Sequence, residues 1–203
     1  LVSGGSYAVS TTGGGATVTV SGVSLSQADM NSLLASMAYR HSGQNPTAGA
    51  RDITLLELRD NGEPGYNSTS LNITSKVVAQ AVNDAPEVTT STGALTFIEG
   101  EGAKPIDVGL TLSDIDSATL VQAVVTISGN YVSNEDALLF TNSGTTMGNI
   151  SASFDTLTGT MTLTSAGASA TMAEWQAALR SVAYANTSQN PSTLPRTVEY
   201  AIN

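Results

Sequence analysis

An internal repeat limits the possible folds of this chain more than any other feature. The segment SMAYRHSGQNP at residues 36–46 returns as SVAYANTSQNP at residues 181–191, an offset of 145 residues. The offset holds without a gap from residues 1–58 onto residues 146–203. Self-similarity at a fixed spacing is typical of tandem arrays. The chain is therefore expected to hold parts of two successive copies of one structural unit.

The repeat also predicts where one copy ends and the next begins. Residues 1–82 are expected to be the C-terminal part of one repeat, and residues 83–203 the N-terminal part of the next. The first part has no counterpart of residues 83–145. The second part has no counterpart of residues 59–82, which include a strand-like run at residues 71–82.

Both copies share a local pattern that predicts their secondary structure. Residues 16–20 and 160–164 alternate between apolar and polar side chains, as half-buried strands do. Ser26 with Asp29, and Thr171 with Glu174, have the spacing of capping boxes that open a short helix. Further strands are predicted at residues 51–58, 71–82, 94–98, 106–112, 120–128, 137–141 and 196–202. The predicted fold is all-β: antiparallel cadherin- or immunoglobulin-like β-sandwich repeats, each with one short inserted helix.

Composition excludes several classes of function. The net charge is −10, which disfavours nucleic acid and anionic membranes because both require clustered Lys and Arg. The chain has no cysteine, so disulfides, thiolate metal sites and cysteine nucleophiles are excluded. The longest apolar stretch is far shorter than the roughly 20 residues of a membrane span. His41 is the only histidine, and its counterpart in the second copy is Asn186. The sequence therefore predicts a protein that is not an enzyme.

Oxygen donors concentrate at the boundary between the two copies. Asn83 and Asp84 precede a proline, Glu99 follows a short apolar run, and Asp114 and Asp116 flank one isoleucine. Calcium takes about 6–8 oxygen ligands from carboxylates, amides and carbonyls. The same aspartates are also common turn formers, because their side chains bind nearby backbone amides. Calcium binding and simple turn formation are therefore both open at this point.

The run RDNGEPGYNSTSLNITSKVVAQAVNDAP at residues 59–86 resembles the end of a cadherin-type domain, with an Asp-containing turn, a final strand and an Asn-Asp linker before proline. The Asp114-Ile115-Asp116 pair resembles the acidic pair of the following domain. The remaining segments resemble repeats of large bacterial surface adhesins and RTX-type proteins, in which VNDAP joins tandem copies.

The resemblance implies calcium at the junctions between modules, and adhesion or spacing as the function. By position it assigns Asn83, Asp84, Glu99, Asp114 and Asp116 as ligands, and Asp60 to the equivalent site of the preceding module. Glu101 and Asp136 are weaker candidates. This linker has fewer acids than the longer cadherin pattern, which suggests one or two ions, weaker binding or none.

The expected partners are neighbouring repeats of the same chain, at a secreted or bacterial cell-surface location. A host-surface protein or glycan is a further possible partner, and so is a strand-exchanged oligomer, since unpaired strand edges invite strand addition. Two other functions remain open: a glycan- or protein-binding module with Trp175 or Tyr131 exposed, and an accessory domain of a secreted hydrolase. Helical spacing favours a core position for Trp175.

Overall fold

A computed structural model describes residues 5–202, which form two compact units that divide between Ala81 and Val82. Every strand pairing within residues 5–202 is antiparallel, and each unit contains one α-helix. The architecture confirms the prediction of an all-β antiparallel fold with one short helix per copy. The two units differ sharply in how much apolar surface they bury.

The first unit consists of two hairpins and a helix. Strand β1 (Ser6–Thr12) pairs with β2 (Gly15–Ser21), and β3 (Gly49–Arg59) pairs with β4 (Ser68–Ala79). The β1–β2 turn consists of Gly13 and Gly14, both at positive φ (62° and 81°), a conformation that favours glycine in two-residue hairpin turns. Helix α1 (Gln27–Ala35) starts at Ser26, whose Oγ accepts from the N–H of Asp29. No described residue of this unit is fully buried.

The second unit has nine strands within the described residues. They are β5 (Glu87–Thr89), β6 (Lys104–Pro105), β7 (Thr111–Ser113), β8 (Gln122–Gly129), β9 (Asp136–Leu139), β10 (Ile150–Asp155), β11 (Thr160–Ser165), β12 (Ala183–Asn186) and β13 (Thr197–Ile202). They form sheets in the orders β10-β11-β8-β13, β6-β12-β9 and β5-β7. Helix α2 (Met172–Ser181) lies between β11 and β12 in the sequence.

The core of the second unit draws on both larger sheets and on α2. Strand β8 buries every second residue, Ala123, Val125 and Ile127, as a strand with one core-facing side does. Trp175 of α2 is fully buried, and its Nε1–H donates to the carbonyl of Leu120 at 3.1 Å. A complete capping box between Thr171 and Glu174 fixes the start of this helix. Trp175 is therefore a core residue, as its helical spacing predicts.

Two of the predicted strands are wrong or incomplete. Residues 94–98 form no strand; Phe97 instead packs its ring edge-to-face on Tyr184, with centroids 5.0 Å apart. Residues 106–112 are broken by a turn in which Asp107 accepts hydrogen bonds from Ser91 and Gly109, and only the end of the range belongs to β7. In both places side-chain packing or side-chain hydrogen bonds to the backbone take the place of the β-sheet hydrogen bonds that the apolar pattern predicted.

Candidate metal site and a buried carboxylate network

Four of the predicted ligands come together at the start of the second unit. The backbone N–H of Asp84 donates to Asp116 Oδ2 at 2.9 Å, across 32 residues of sequence. The Oγ of Ser117 donates to Asn83 Oδ1 at 3.3 Å. Asp114 Oδ1 accepts from the N–H groups of Asp116 and Ser117 at 3.0 and 2.8 Å. The linker residues and the Asp-Ile-Asp turn therefore form one cluster, which we call the seam cluster (Asn83, Asp84, Asp114, Asp116).

Asp114 and Asp116 each have one carboxylate oxygen that accepts a hydrogen bond and one that accepts none from the described residues. Asp114 Oδ2 and Asp116 Oδ1 are buried and accept no hydrogen bond from the described residues. Backbone N–H donation by Asp116 and then by Ser117 lowers the pKa of Asp114, and the Asp116 side chain also contributes. A buried carboxylate oxygen without a partner is costly, because it has lost its water without replacement. The donor chemistry of these oxygens fits a hard divalent cation.

The other predicted ligands lie in different surroundings. Glu99 is exposed in a turn, and no hydrogen bond links it to the seam cluster within the described chain. Glu101 accepts from the N–H of Ile98 and forms an ion pair with Lys104 at 2.6 Å. Asp60 belongs to the first unit, where its Oδ1 accepts from the N–H of Gly62. Within residues 5–202 no three Asp, Glu or His side chains are close enough to hold a metal alone. A cation at the seam cluster would therefore also need amide and carbonyl oxygens.

Asp136 is the centre of a second cluster with a different character. Its carboxylate is fully buried and accepts from Tyr184 Oη, Asn186 Nδ2 and the N–H of Val132. Arg196 donates to both carboxylate oxygens, from Nε at 3.1 Å and from a terminal nitrogen at 3.2 Å. Both oxygens are thus committed to protein donors, so the geometry gives Asp136 a structural role in place of the weak metal assignment. We call this group the carboxylate lock (Asp136, Tyr184, Asn186, Arg196).

The lock shifts the pKa values of its members. Burial raises the pKa of Asp136, but hydrogen bonds from Tyr184 and Arg196 outweigh burial and the net pKa is lowered. Burial and the neighbouring Asp136 carboxylate raise the pKa of Tyr184 to about 12. At neutral pH the lock therefore holds a buried carboxylate, a guanidinium and a neutral phenol.

Sequence reasoning missed the lock, although a signal for it was present. Its donors lie 48 to 60 residues from Asp136 in the sequence. Two of them, Tyr184 and Arg196, are among the residues that the repeat retains, as Tyr39 and Arg51. A polar residue that both copies keep inside a β-sandwich is a candidate for a buried network.

Neither aromatic candidate for a glycan site is exposed as that alternative requires. Trp175 is fully buried in the core. Tyr131 is partly buried, and its hydroxyl donates to the carbonyl of Thr156 at 2.6 Å. Neither of the two helices in the described chain is long and apolar enough to cross a membrane.

Comparison with known proteins gives one partial relationship. No protein-family model matches the chain, and no solved structure matches it. Halomucin of Haloquadratum walsbyi is 32% identical over 122 residues, which is 59% of this chain. The chain covers about 1% of the length of that relative. The similarity therefore links part of this chain to a short stretch of a much longer protein.

Proposed function

We propose that this chain is a structural module of an extracellular tandem-repeat surface protein, and that calcium at the seam cluster stiffens the junction between successive repeats. One observation carries the calcium assignment. Two buried carboxylate oxygens close to the linker, Asp114 Oδ2 and Asp116 Oδ1, accept no hydrogen bond from any described residue. The repeat supports the tandem arrangement, and similarity to halomucin supports the surface location.

The physical basis is the mutual repulsion of uncompensated carboxylates. Asp114 and Asp116 lie in one turn, and the backbone of Asp84 is bound to that turn. No Lys or Arg forms an ion pair with either aspartate of the turn within the described residues. A divalent cation would neutralise the turn and supply the partner that the two buried oxygens need. Asn83 and Asp84 would join the linker to the same ion, so that its binding favours an ordered junction by mass action.

Isothermal titration calorimetry with calcium tests the proposal. We expect binding in the range of extracellular modules, with a Kd of about 0.1–1 mM. The variants Asp114→Asn and Asp116→Asn are expected to weaken binding at least about tenfold, because each removes a carboxylate charge from the site.

Asp155→Asn is the matched control. Asp155 also caps a turn of the second unit, accepting from the N–H of Leu157 and from Thr158 Oγ1, but it lies outside the seam cluster. Its variant should bind calcium as the original chain does. No heat of binding with up to 10 mM calcium, well above the expected Kd range, would refute the calcium assignment. Equal weakening by Asp155→Asn and Asp114→Asn would instead indicate a non-specific charge effect.

A further inference from the structure

A central strand that the second unit has, β8, has no counterpart in the strand pairing of the first unit within the described residues. In the second unit, β8 lies between β11 and β13 and hydrogen-bonds to both. The repeat aligns β2 with β11 and β3 with β13. In the first unit, however, β2 pairs only with β1 and β3 only with β4, among residues 5–202. The outer edges of β2 and β3, the counterparts of the strands that flank β8 in the second unit, are therefore both unpaired among the described residues.

The apolar positions around this missing strand are exposed. Val18 and Met37 are 56% and 54% exposed, whereas their counterparts Leu163 and Val182 are fully buried. In the second unit these counterparts belong to one core with β8, β9 and the loops between residues 104 and 145. The same positions in the first unit thus leave exposed apolar side chains that a segment of that kind would cover.

The first unit also contains a counterpart of the lock arginine, Arg51, with the same local hydrogen bonds as Arg196. Arg196 donates to the carbonyls of Ser192 and Leu194 while it holds Asp136. Arg51 donates to the carbonyls of Thr47 and Gly49, which are the aligned positions. The loop carbonyls therefore orient both arginines in the same way, but Arg51 has no carboxylate partner within the described residues.

The residue that replaces Asn186 shows the same local geometry. The N–H of Ser188 donates to Asn186 Oδ1 at 2.9 Å, and the N–H of Gly43 donates to His41 Nδ1 at 3.1 Å. Gly43 aligns with Ser188. Tyr39, the counterpart of Tyr184, is 41% exposed. The first unit therefore has a counterpart for each of the three residues that donate to Asp136 in the lock: Tyr39, His41 and Arg51.

We infer that the first unit is a receptor for a further segment equivalent to residues 83–145, supplied by the same polypeptide chain. Its β8-like strand enters between β2 and β3, its apolar side chains cover Val18 and Met37, and Tyr39, His41 and Arg51 bind its aspartate. A bidentate Arg–carboxylate pair also fixes the register of the incoming strand. This inference does not depend on calcium.

The test uses the full chain with a second copy of residues 83–145 attached before residue 1. Because residue 1 aligns with residue 146, this extension reproduces the sequence order of the second unit. Amide hydrogen exchange is measured in EDTA, so that calcium binding does not affect the result. We expect exchange in β2 and β3 to slow by at least about 100-fold relative to the unextended chain. The second unit, whose β8 and β11 should stay protected in both chains, is the internal folding control.

Variants of the extended chain distinguish protection that comes from the Arg51–carboxylate pair from protection that comes only from covering the apolar side chains. Arg51→Ala, or Asp136→Asn in the attached copy, should remove most of the added protection in β3. Arg40→Ala is the matched control, since Arg40 is an exposed arginine of the same unit that aligns with Ala185. Equal exchange in the extended and unextended chains, or equal effects of the Arg51 and Arg40 variants, would overturn the inference. A dimer of the unextended chain with β2 and β3 already protected would assign this surface to a second copy and overturn it as well.

Discussion

Removal of the buried carboxylate at Asp136 is expected to destabilise the second unit strongly. The carboxylate is fully buried, and its main partner Arg196 is only 10% exposed at the side chain. Asp136→Ala leaves a nearly buried guanidinium without its counter-ion and orphans the donors of Tyr184 and Asn186. Breaking a buried pair by removing one partner costs about 3–5 kcal/mol, because the remaining charge has lost both water and partner.

That cost is large relative to the stability of the unit. A unit of this size is expected to unfold with a free energy of about 6–18 kcal/mol. Urea titration followed by fluorescence measures the change, because Trp175 is the only tryptophan and reports on the second unit alone. The midpoint should fall markedly with little change in slope.

Two controls make the result specific. Lys104→Met breaks a half-exposed ion pair with Glu101 in the same unit and should cost less than about 1 kcal/mol. The double variant Asp136→Ala/Arg196→Met should cost less than the two single changes added together, since it leaves no unpaired charge. A loss below about 1 kcal/mol for Asp136→Ala, equal to that of the Lys104 control, would refute the structural role of the lock.

Three further predictions follow from the same unit. Trp175→Ala should lower the unfolding free energy by about 3–5 kcal/mol, measured by circular dichroism, because it opens a core cavity and orphans the carbonyl of Leu120. Thr171→Ala should cost about 1 kcal/mol in the same assay, since it removes half of the capping box of α2. The thermal midpoint should stay high above about pH 4, the ordinary range of an unfolded aspartate, and fall as pH drops further. The reason is that the folded-state pKa values of Asp136 and Asp107 are lowered, so folding favours their ionised forms; a midpoint that rises on acidification would contradict the assignment.

The elements that the sequence predicts well are those with strong local signals. Alternation predicts β2 and β11, and the cap spacing predicts where both helices start. Strands β1 and β10 were not predicted, because Ser, Thr and Ala give little contrast between buried and exposed positions. Residues 94–98 were predicted as a strand but form none. The side chain of Phe97 packs on Tyr184, while the backbone of this segment forms no β-sheet hydrogen bonds.

The two clusters differ in how much of them could be predicted. The repeat and the VNDAP resemblance select Asn83, Asp84, Asp114 and Asp116 before any geometry is known, and the structure brings these four together. The role of Asp136 depends on partners 48 to 60 residues away, which no local pattern specifies. Burial and hydrogen bonding decide such a role, and both are properties of the fold.

Thermal unfolding of the full chain with calcium, against EDTA, tests the central claim most directly. At 5 mM calcium and a Kd of about 0.1–1 mM, linkage predicts about 1–2.3 kcal/mol of added stability. The tryptophan-reported midpoint should then rise by at least about 3 °C. Asp114→Asn and Asp116→Asn should abolish this rise, and magnesium at the same ionic strength should not reproduce it. A midpoint that is the same in calcium and EDTA, or a rise that persists in both variants, would contradict a calcium site at the seam cluster.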